Sequence, residues 1–265
     1  MVITEEQLDE FRMRGFITFR DLLPPEDVHR LKATTSPTTW ATVGVPWLDG
    51  GQIGTREITA VHFPHMILPA LKSIAESSPL AAIATKLVSS HLRFEESPSE
   101  LVQSMYYAKP SGAMGQCWHQ DERFTPTRDA SLVTAWIALD GANEQNGCLF
   151  VEPGSHRSLT LRPHTRIVSD GDVVTGEGVA PPECIEPLEL REGDVAFFSG
   201  FLVHGSHQNK SGDARRSLVL NYQRTVLQPI SGQMCSCGTA IDLHAKHASI
   251  RDVASSGLPL GVFAR

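Results

Sequence analysis

Between residues 100 and 225 the chain is a succession of short apolar, β-branched runs broken by turn residues, and this rhythm restricts the fold more than any other feature. The runs are Leu101–Ala108, Ser131–Leu139, Cys148–Val151, Ile185–Leu190, Val195–Phe198 and Ser217–Gln223. Between them stand Lys109-Pro110-Ser111-Gly112, Asp140-Gly141, Asn146-Gly147, Pro153-Gly154 and Glu192-Gly193-Asp194. Many short strands at this spacing imply a sandwich or barrel. A length of 265 residues suits one such domain, so residues 1–265 are expected to form a single unit without internal repeats.

The first 95 residues read as helical. Thr4 and Gln7 match a capping box ahead of Leu8 and Phe11, Gly15 stops the helix, and Phe16–Phe19 alternates like a strand. Pro24-Pro25 starts a second helix running to about Ala33. Residues 36–60 show no period and read as a long loop, and a third helical zone over about 67–92 is broken near Ser78-Pro79. Segment 160–184, rich in Gly, Asp and Pro, also reads as a loop, and both loops are expected to order over the barrel mouth. Residues 228–265 form a C-terminal extension.

Charge and cysteine content narrow the class. A net charge of −7 argues against a nucleic-acid or anionic-membrane binder, which usually shows a basic face. No apolar run reaches the roughly 18 residues needed to span a bilayer, and the N-terminus lacks a signal-like pattern. Five cysteines, an odd number, fit a reducing compartment and free thiols, Cys235 and Cys237 included. The chain therefore reads as a soluble, cytoplasmic protein.

The sharpest local signal is Trp118-His119-Gln120-Asp121. On an extended segment His119 and Asp121 share a face and can grip one metal ion. Alone, such a pair is more often a surface dipeptide. His204 follows the run Val195–Phe198 and can return to the first pair. Two histidines and a carboxylate leave three metal positions open, the facial triad of non-haem Fe(II) oxygenases. Arg215-Arg216 follow His204 at a distance that allows a turn and a return strand, which would place an arginine beside the metal. A guanidinium there matches the far carboxylate of a dicarboxylic cosubstrate, whereas a surface turn is the plainer reading of paired arginines.

These pieces, with Gln103, Lys109-Pro110, Trp136–Leu139, Asn146–Leu149, Pro153–His156, Gly193-Asp194, His204–Ser206 and Asn209–Ser211, resemble the phytanoyl-CoA dioxygenase family in order and spacing over residues 100–225. The opening helix–strand–helix fits as well. The resemblance implies a mainly β fold with flanking helices, built on a double-stranded β-helix (jelly-roll, cupin-like) core. It implies Fe(II) held by His119, Asp121 and His204. It implies 2-oxoglutarate held by Arg215 and Ser206, with Gln103 and Trp136 at further cosubstrate positions. Arg216 matches a more variable position. His207 stands where many relatives have glycine, and with Trp40 and Trp47 it is a candidate substrate contact, although a rim histidine and core tryptophans are the plainer readings. His156 reads as a structural or rim residue, not a ligand, and Cys117 as a small core residue.

The implied reaction couples oxidation of an unactivated C–H bond, most simply hydroxylation, to decarboxylation of 2-oxoglutarate by O2. Asp121 speaks against halogenation, since related halogenases have a small residue there. A cupin-like metal isomerase or hydrolase would not require Arg215 and Ser206, and a ligand-binding jelly roll would not require the triad. The expected partner is a small-molecule substrate of biosynthetic tailoring, whose identity the sequence does not give.

Overall fold

The computed structural model describes residues 3–43, 60–77, 79–90, 97–127, 129–167, 172, 176–225 and 262–263. Twelve strands occur among them. They are β1 (Phe16–Phe19), β2 (Ala60–His62), β3 (Ser99–Lys109), β4 (Val133–Ala138), β5 (Leu149–Val151), β6 (Thr165–Ile167), β7 (Gly176–Gly178), β8 (Glu186–Leu188), β9 (Val195–Ser199), β10 (His204–Ser206), β11 (Arg215–Arg224) and β12 (Val262–Phe263). A major antiparallel sheet runs β1-β9-β4-β11-β3-β2-β12, a minor one β10-β5-β8, and β6-β7 form a separate hairpin. The major and minor sheets enclose a shared apolar core, which makes the fold a double-stranded β-helix.

Alternation along the major-sheet strands assigns each side chain to a face. Val133, Ala135 and Ile137 of β4, Val195 and Phe197 of β9, and Leu218, Leu220 and Tyr222 of β11 join the core beneath the helices. Their neighbours Trp136, Ala138, Ala196, Phe198 and Val219 join the core between the sheets. Both faces are covered, so these strands read as continuous apolar runs. On β3, Tyr106 and Ala108 face the helices whereas Met105 and Tyr107 pack inward. Lys109 and Gln103 share the inward parity. The β3–β11 register shifts between Asn221 and Tyr222, so that Leu101 beyond it returns to the helix side.

Among the described residues, five helices cover the outer face: α1 (Glu5–Arg14), α2 (Pro25–Thr34), α3 (Pro37–Val43), α4 (Pro69–Glu76) and α5 (Leu80–Ser90). The capping box at Thr4 is present, with reciprocal bonds of 3.2 and 2.9 Å to Gln7. Gly15 ends α1 at φ 84°, a left-handed conformation that disfavours other residues. Leu8, Phe11, Leu31, Leu71, Leu80 and Leu87 all enter the outer core. Tyr222 donates through its hydroxyl to Ala75 O at 2.6 Å, tying β11 to α4. Among the described residues, no helix is long and apolar enough to cross a membrane.

Two loop expectations are corrected. Residues 36–60 include α3, which buries Trp40 against Tyr106 at 5.6 Å between ring centroids. Ser36 accepts from Thr39 N at 3.2 Å and starts that helix, a local cap outweighed in the sequence by the surrounding Thr and Pro. Segment 160–184 includes the β6–β7 hairpin. A Cβ on Gly178 would lie 2.8 Å from Trp118 O and 2.9 Å from Cys117 Cβ, so glycine alone lets β7 lie against this backbone. Val179 N also donates to Trp118 O at 2.9 Å. Cys235 and Cys237 lie outside the described residues.

A single carboxylate fastens β1 to the turn before β9. Asp194, fully buried, accepts from Asp21 N at 2.8 Å, Arg191 N at 2.8 Å and the Arg20 guanidinium at 2.7 Å. Burial raises its pKa, but these donors outweigh burial and hold it below the usual 3.8. The stabilisation is therefore complete above that value and is lost as pH falls through the depressed folded pKa. We expect Asp194→Asn to cost about 2 kcal/mol at pH 7. In urea unfolding, the variant and wild type should converge in acid; an unchanged midpoint at pH 7 would refute this role.

A candidate metal centre beside a buried cation pocket

His119 and His204 face each other across an antiparallel bridge, with His119 N donating to His204 O at 2.8 Å and His204 N to His119 O at 3.0 Å. Gln120 remains extended, at φ −125° and ψ 126°, and Asp121 opens a 3-10 turn, Asp121–Arg123. The extended stretch is thus one residue shorter than the sequence implies. It suffices: Gln120 turns outward and donates to Phe201 O at 2.8 Å, while His119 and Asp121 turn inward.

One ligating atom from each of His119, Asp121 and His204 lies within 4.8 Å of the others, and all three residues are buried. Asp121 Oδ1 is 3.5 Å from Nε2 of each histidine. The Nδ1 atoms are engaged elsewhere, His119 with Cys117 O at 2.8 Å and His204 with Leu202 O at 2.9 Å. A carbonyl oxygen only accepts, so in each neutral ring Nδ1 carries the proton and Nε2 offers its lone pair. Thr134 donates to Asp121 Oδ2 at 2.7 Å, leaving Oδ1 directed at the centre. Burial raises the Asp121 pKa, but His204, His119 and Thr134 together bring it to about 2. Burial, then His119, lowers the pKa of His204 to about 4. The set offers one carboxylate and two imidazole nitrogens, a donor set suited to a divalent transition metal with open positions.

Two basic side chains, Arg215 and Lys109, are buried on the same inner face. Arg215 opens β11 on the inward face, 5.1 Å from the Trp136 ring, and donates to Ser217 Oγ at 3.2 Å. Its Nε is buried with no partner. Burial lowers its pKa to about 10, so it remains charged at neutral pH. Lys109 donates to Ser206 Oγ at 3.0 Å and also to His207 O. Burial, then Arg215, lowers the Lys109 pKa to about 7. Ser206 Oγ accepts a second bond, from Gln116 N at 3.1 Å, so its own proton is free to be donated. Neither cation is paired with a carboxylate among the described residues. Arg216, one residue on and facing out, is paired with Asp140 through bonds of 2.7 and 2.8 Å. A desolvated guanidinium that lacks a carboxylate partner among the described residues fits an incoming carboxylate.

Of the remaining expected site residues, Gln103 accepts through Oε1 from Thr125 Oγ1 at 2.7 Å and Asn221 Nδ2 at 3.3 Å. His207 packs on Phe150 at 4.4 Å, with Trp118 at 6.4 Å. Trp40 sits beneath the helices, on the opposite face of the major sheet, and is a core residue instead of a substrate contact. Trp47 lies outside the described residues. His156 is buried, its Nε2 bonded to Arg12 O at 3.1 Å, and is structural as expected. The sequence reading missed Thr134, which alternation from Trp136 would have placed on the inner face, and the bonds that Lys109 makes. It also missed Phe124, Arg123 and His164, for which no motif speaks.

The solved structures most like this one include the non-heme alpha ketoglutarate dependent carbocyclase SnoK from nogalamycin biosynthesis. Its TM-score is 0.65 at 22% identity, covering 84% of each chain. EctD from S. alaskensis with bound Fe has a TM-score of 0.64 at 22% identity, covering 84% of this chain and 77% of that one. At this identity the likeness speaks for the fold. In sequence, phytanoyl-CoA dioxygenase 1 of Oryza sativa subsp. japonica is 32% identical over 164 residues, 60% of this chain and 55% of that protein. The chain thus spans about half the length of that relative. The sequence model of the phytanoyl-CoA dioxygenase (PhyH) family matches residues 11–217, and the chain belongs to that family.

Proposed function

We propose that this protein is an Fe(II)- and 2-oxoglutarate-dependent dioxygenase that hydroxylates an unactivated C–H bond of a small molecule in a biosynthetic pathway, releasing succinate and CO2. One observation carries the reading: three inward ligating atoms stand beside a buried arginine that has no carboxylate partner among the described residues. A metal isomerase or hydrolase on this barrel would have no use for that cation, and a plain ligand-binding jelly roll would have none for the triad.

In this reading His119, Asp121 and His204 hold Fe(II), and Arg215 holds the distal carboxylate of 2-oxoglutarate. Iron with 2-oxoglutarate and O2 supplies the oxidising chemistry; the chain supplies geometry. Asp121 is ionised despite burial and contributes the single anionic ligand. Cys117 O and Leu202 O fix the two imidazole tautomers, and Thr134 fixes the carboxylate rotamer. Lys109 orients Ser206 so that its hydroxyl donates to the cosubstrate. Trp136 lies against the guanidinium, and Phe198, Val203 and Val219 line the inter-sheet core that keeps water out. In the same reading Gln103 supplies a further cosubstrate contact, and His207 forms part of the substrate surface.

Anaerobic titration with Fe(II) and then 2-oxoglutarate tests the reading. A visible charge-transfer band should appear only when both are present. Metal binding without the band would favour the isomerase or hydrolase, and no metal binding the plain ligand module.

Asp121→Ala should abolish 2-oxoglutarate turnover while the far-ultraviolet circular dichroism remains that of the wild type. Near-normal turnover in iron-replete buffer would refute the ligand assignment. Arg215→Ala should raise the KM for 2-oxoglutarate by a factor of about 30 or more, the effect of truncating one partner of a desolvated charge pair. Arg216→Ala should leave that KM within a few-fold of wild type, because its guanidinium is committed to Asp140. Exchange of the two phenotypes would mean that β11 is read in the wrong register.

A further inference from the structure

One group of side chains beside the centre has no part in the chemistry above. Phe124, more than one-third exposed, stands edge-on to His119 at 5.8 Å and to His164 at 5.9 Å between ring centroids. His164 thus lies one ring away from a metal-ligand candidate, just ahead of β6 in the hairpin that docks on Cys117 and Trp118. Both ring nitrogens of the half-buried His164 are buried and have no hydrogen-bond partner among the described residues. Leaving a donor and an acceptor buried and unpaired is costly, and native structures do so rarely. Arg123, adjacent to Phe124, is exposed and makes no ion pair or side-chain hydrogen bond among the described residues. It is near enough for its charge to act on His164. Glu177 is the acidic group that also acts on His164, and in the β6–β7 register it stands opposite Arg166.

Among the described residues the guanidinium lacks an ion pair and the imidazole N–H an acceptor, and beside an exposed ring such groups would suit a flat or tetrahedral oxyanion with an apolar body behind it. We propose that Arg123, His164 and Phe124 recognise an acidic group, carboxylate or phosphate, of the prime substrate, and so select anionic substrates. The inference rests on the dioxygenase reading for its meaning, since it names the substrate class of the same site. The acid bridges Arg123 and the His164 N–H, while Phe124 holds the attached carbon skeleton between that anchor and His119. The cosubstrate's distal carboxylate is held apart, at Arg215 on the inner sheet.

Equilibrium dialysis of radiolabelled benzoate tests this, using protein loaded under argon with Fe(II) and saturating 2-oxoglutarate so that the Arg215 pocket is filled. Benzoate should bind at least roughly tenfold more tightly than benzamide, the worth of one charge-assisted hydrogen bond. Phenyl phosphate should compete, and whichever of the two acids binds more tightly identifies the oxyanion. Arg123→Gln and His164→Phe should each erase most of the preference, and Arg123→Lys should restore part of it. Arg123 is exposed, so its replacement does not threaten the fold. Equal binding of benzoate and benzamide, or a preference that survives Arg123→Gln, would overturn the proposal. The 2-oxoglutarate band of the same sample separates the two readings. With the band present and no acid preference, this inference alone fails. With the band absent and the preference intact, the anion seat stands and the dioxygenase reading fails.

Discussion

The pair of backbone hydrogen bonds between His119 and His204 is the contact on which the rest of the centre depends. It joins a segment from the first half of the barrel to the first residue of β10, so that two imidazoles more than 80 residues apart in sequence enter the same space from adjacent positions. Each ring is then oriented by the carbonyl two residues before it, Cys117 O or Leu202 O. Backbone positions therefore set the geometry, and side-chain freedom contributes little to it. A site built this way is formed before any ligand arrives, which lowers the entropic cost of assembling it.

The major sheet extends the same economy to the cation pocket. Because side chains alternate, adjacent arginines on β11 meet opposite environments. Arg215 enters the barrel and Arg216 meets Asp140 on the helix side. Thr134 and Trp136, two apart on β4, both face inward, one toward Asp121 and the other toward Arg215. The polar interior is thus a short list of positions on strands whose other face is sealed by apolar helices, and the helices secure the register that selects those positions.

Much of this was legible in the sequence because it rests on local periodicity. The six apolar runs are strands β3, β4, β5, β8, β9 and β11, with no end shifted by more than two residues. The break near Ser78-Pro79 separates α4 from α5. The three residues read as a metal triad do converge. What escaped was set by tertiary contact. Strands β2, β6, β7 and β10 each have three residues, too few to show a period. Helix α3 is held by the burial of Trp40 more than by propensity, so it hid in a stretch that reads as loop. Lys109 was visible as part of a motif, but its bonds to Ser206 and His207 exist only once β3 and β10 are brought together. His164 gave no signal at all, since its place depends on a hairpin whose docking turns on the absence of a Cβ.

That docking has a thermodynamic consequence. Gly178 lets β7 rest on the backbone of Cys117 and Trp118, and Cys117 O is the atom that orients the His119 ring. The seated hairpin and the orientation of the His119 ring therefore share one stretch of backbone. If a ligand changes how firmly the hairpin is seated and metal binding depends on that seating, linkage requires the two effects to be equal in factor and direction. A substrate that steadies the hairpin would tighten the hold on the metal, and a loaded metal would in turn favour the seated hairpin, so that occupancy of the two becomes cooperative without a separate moving part.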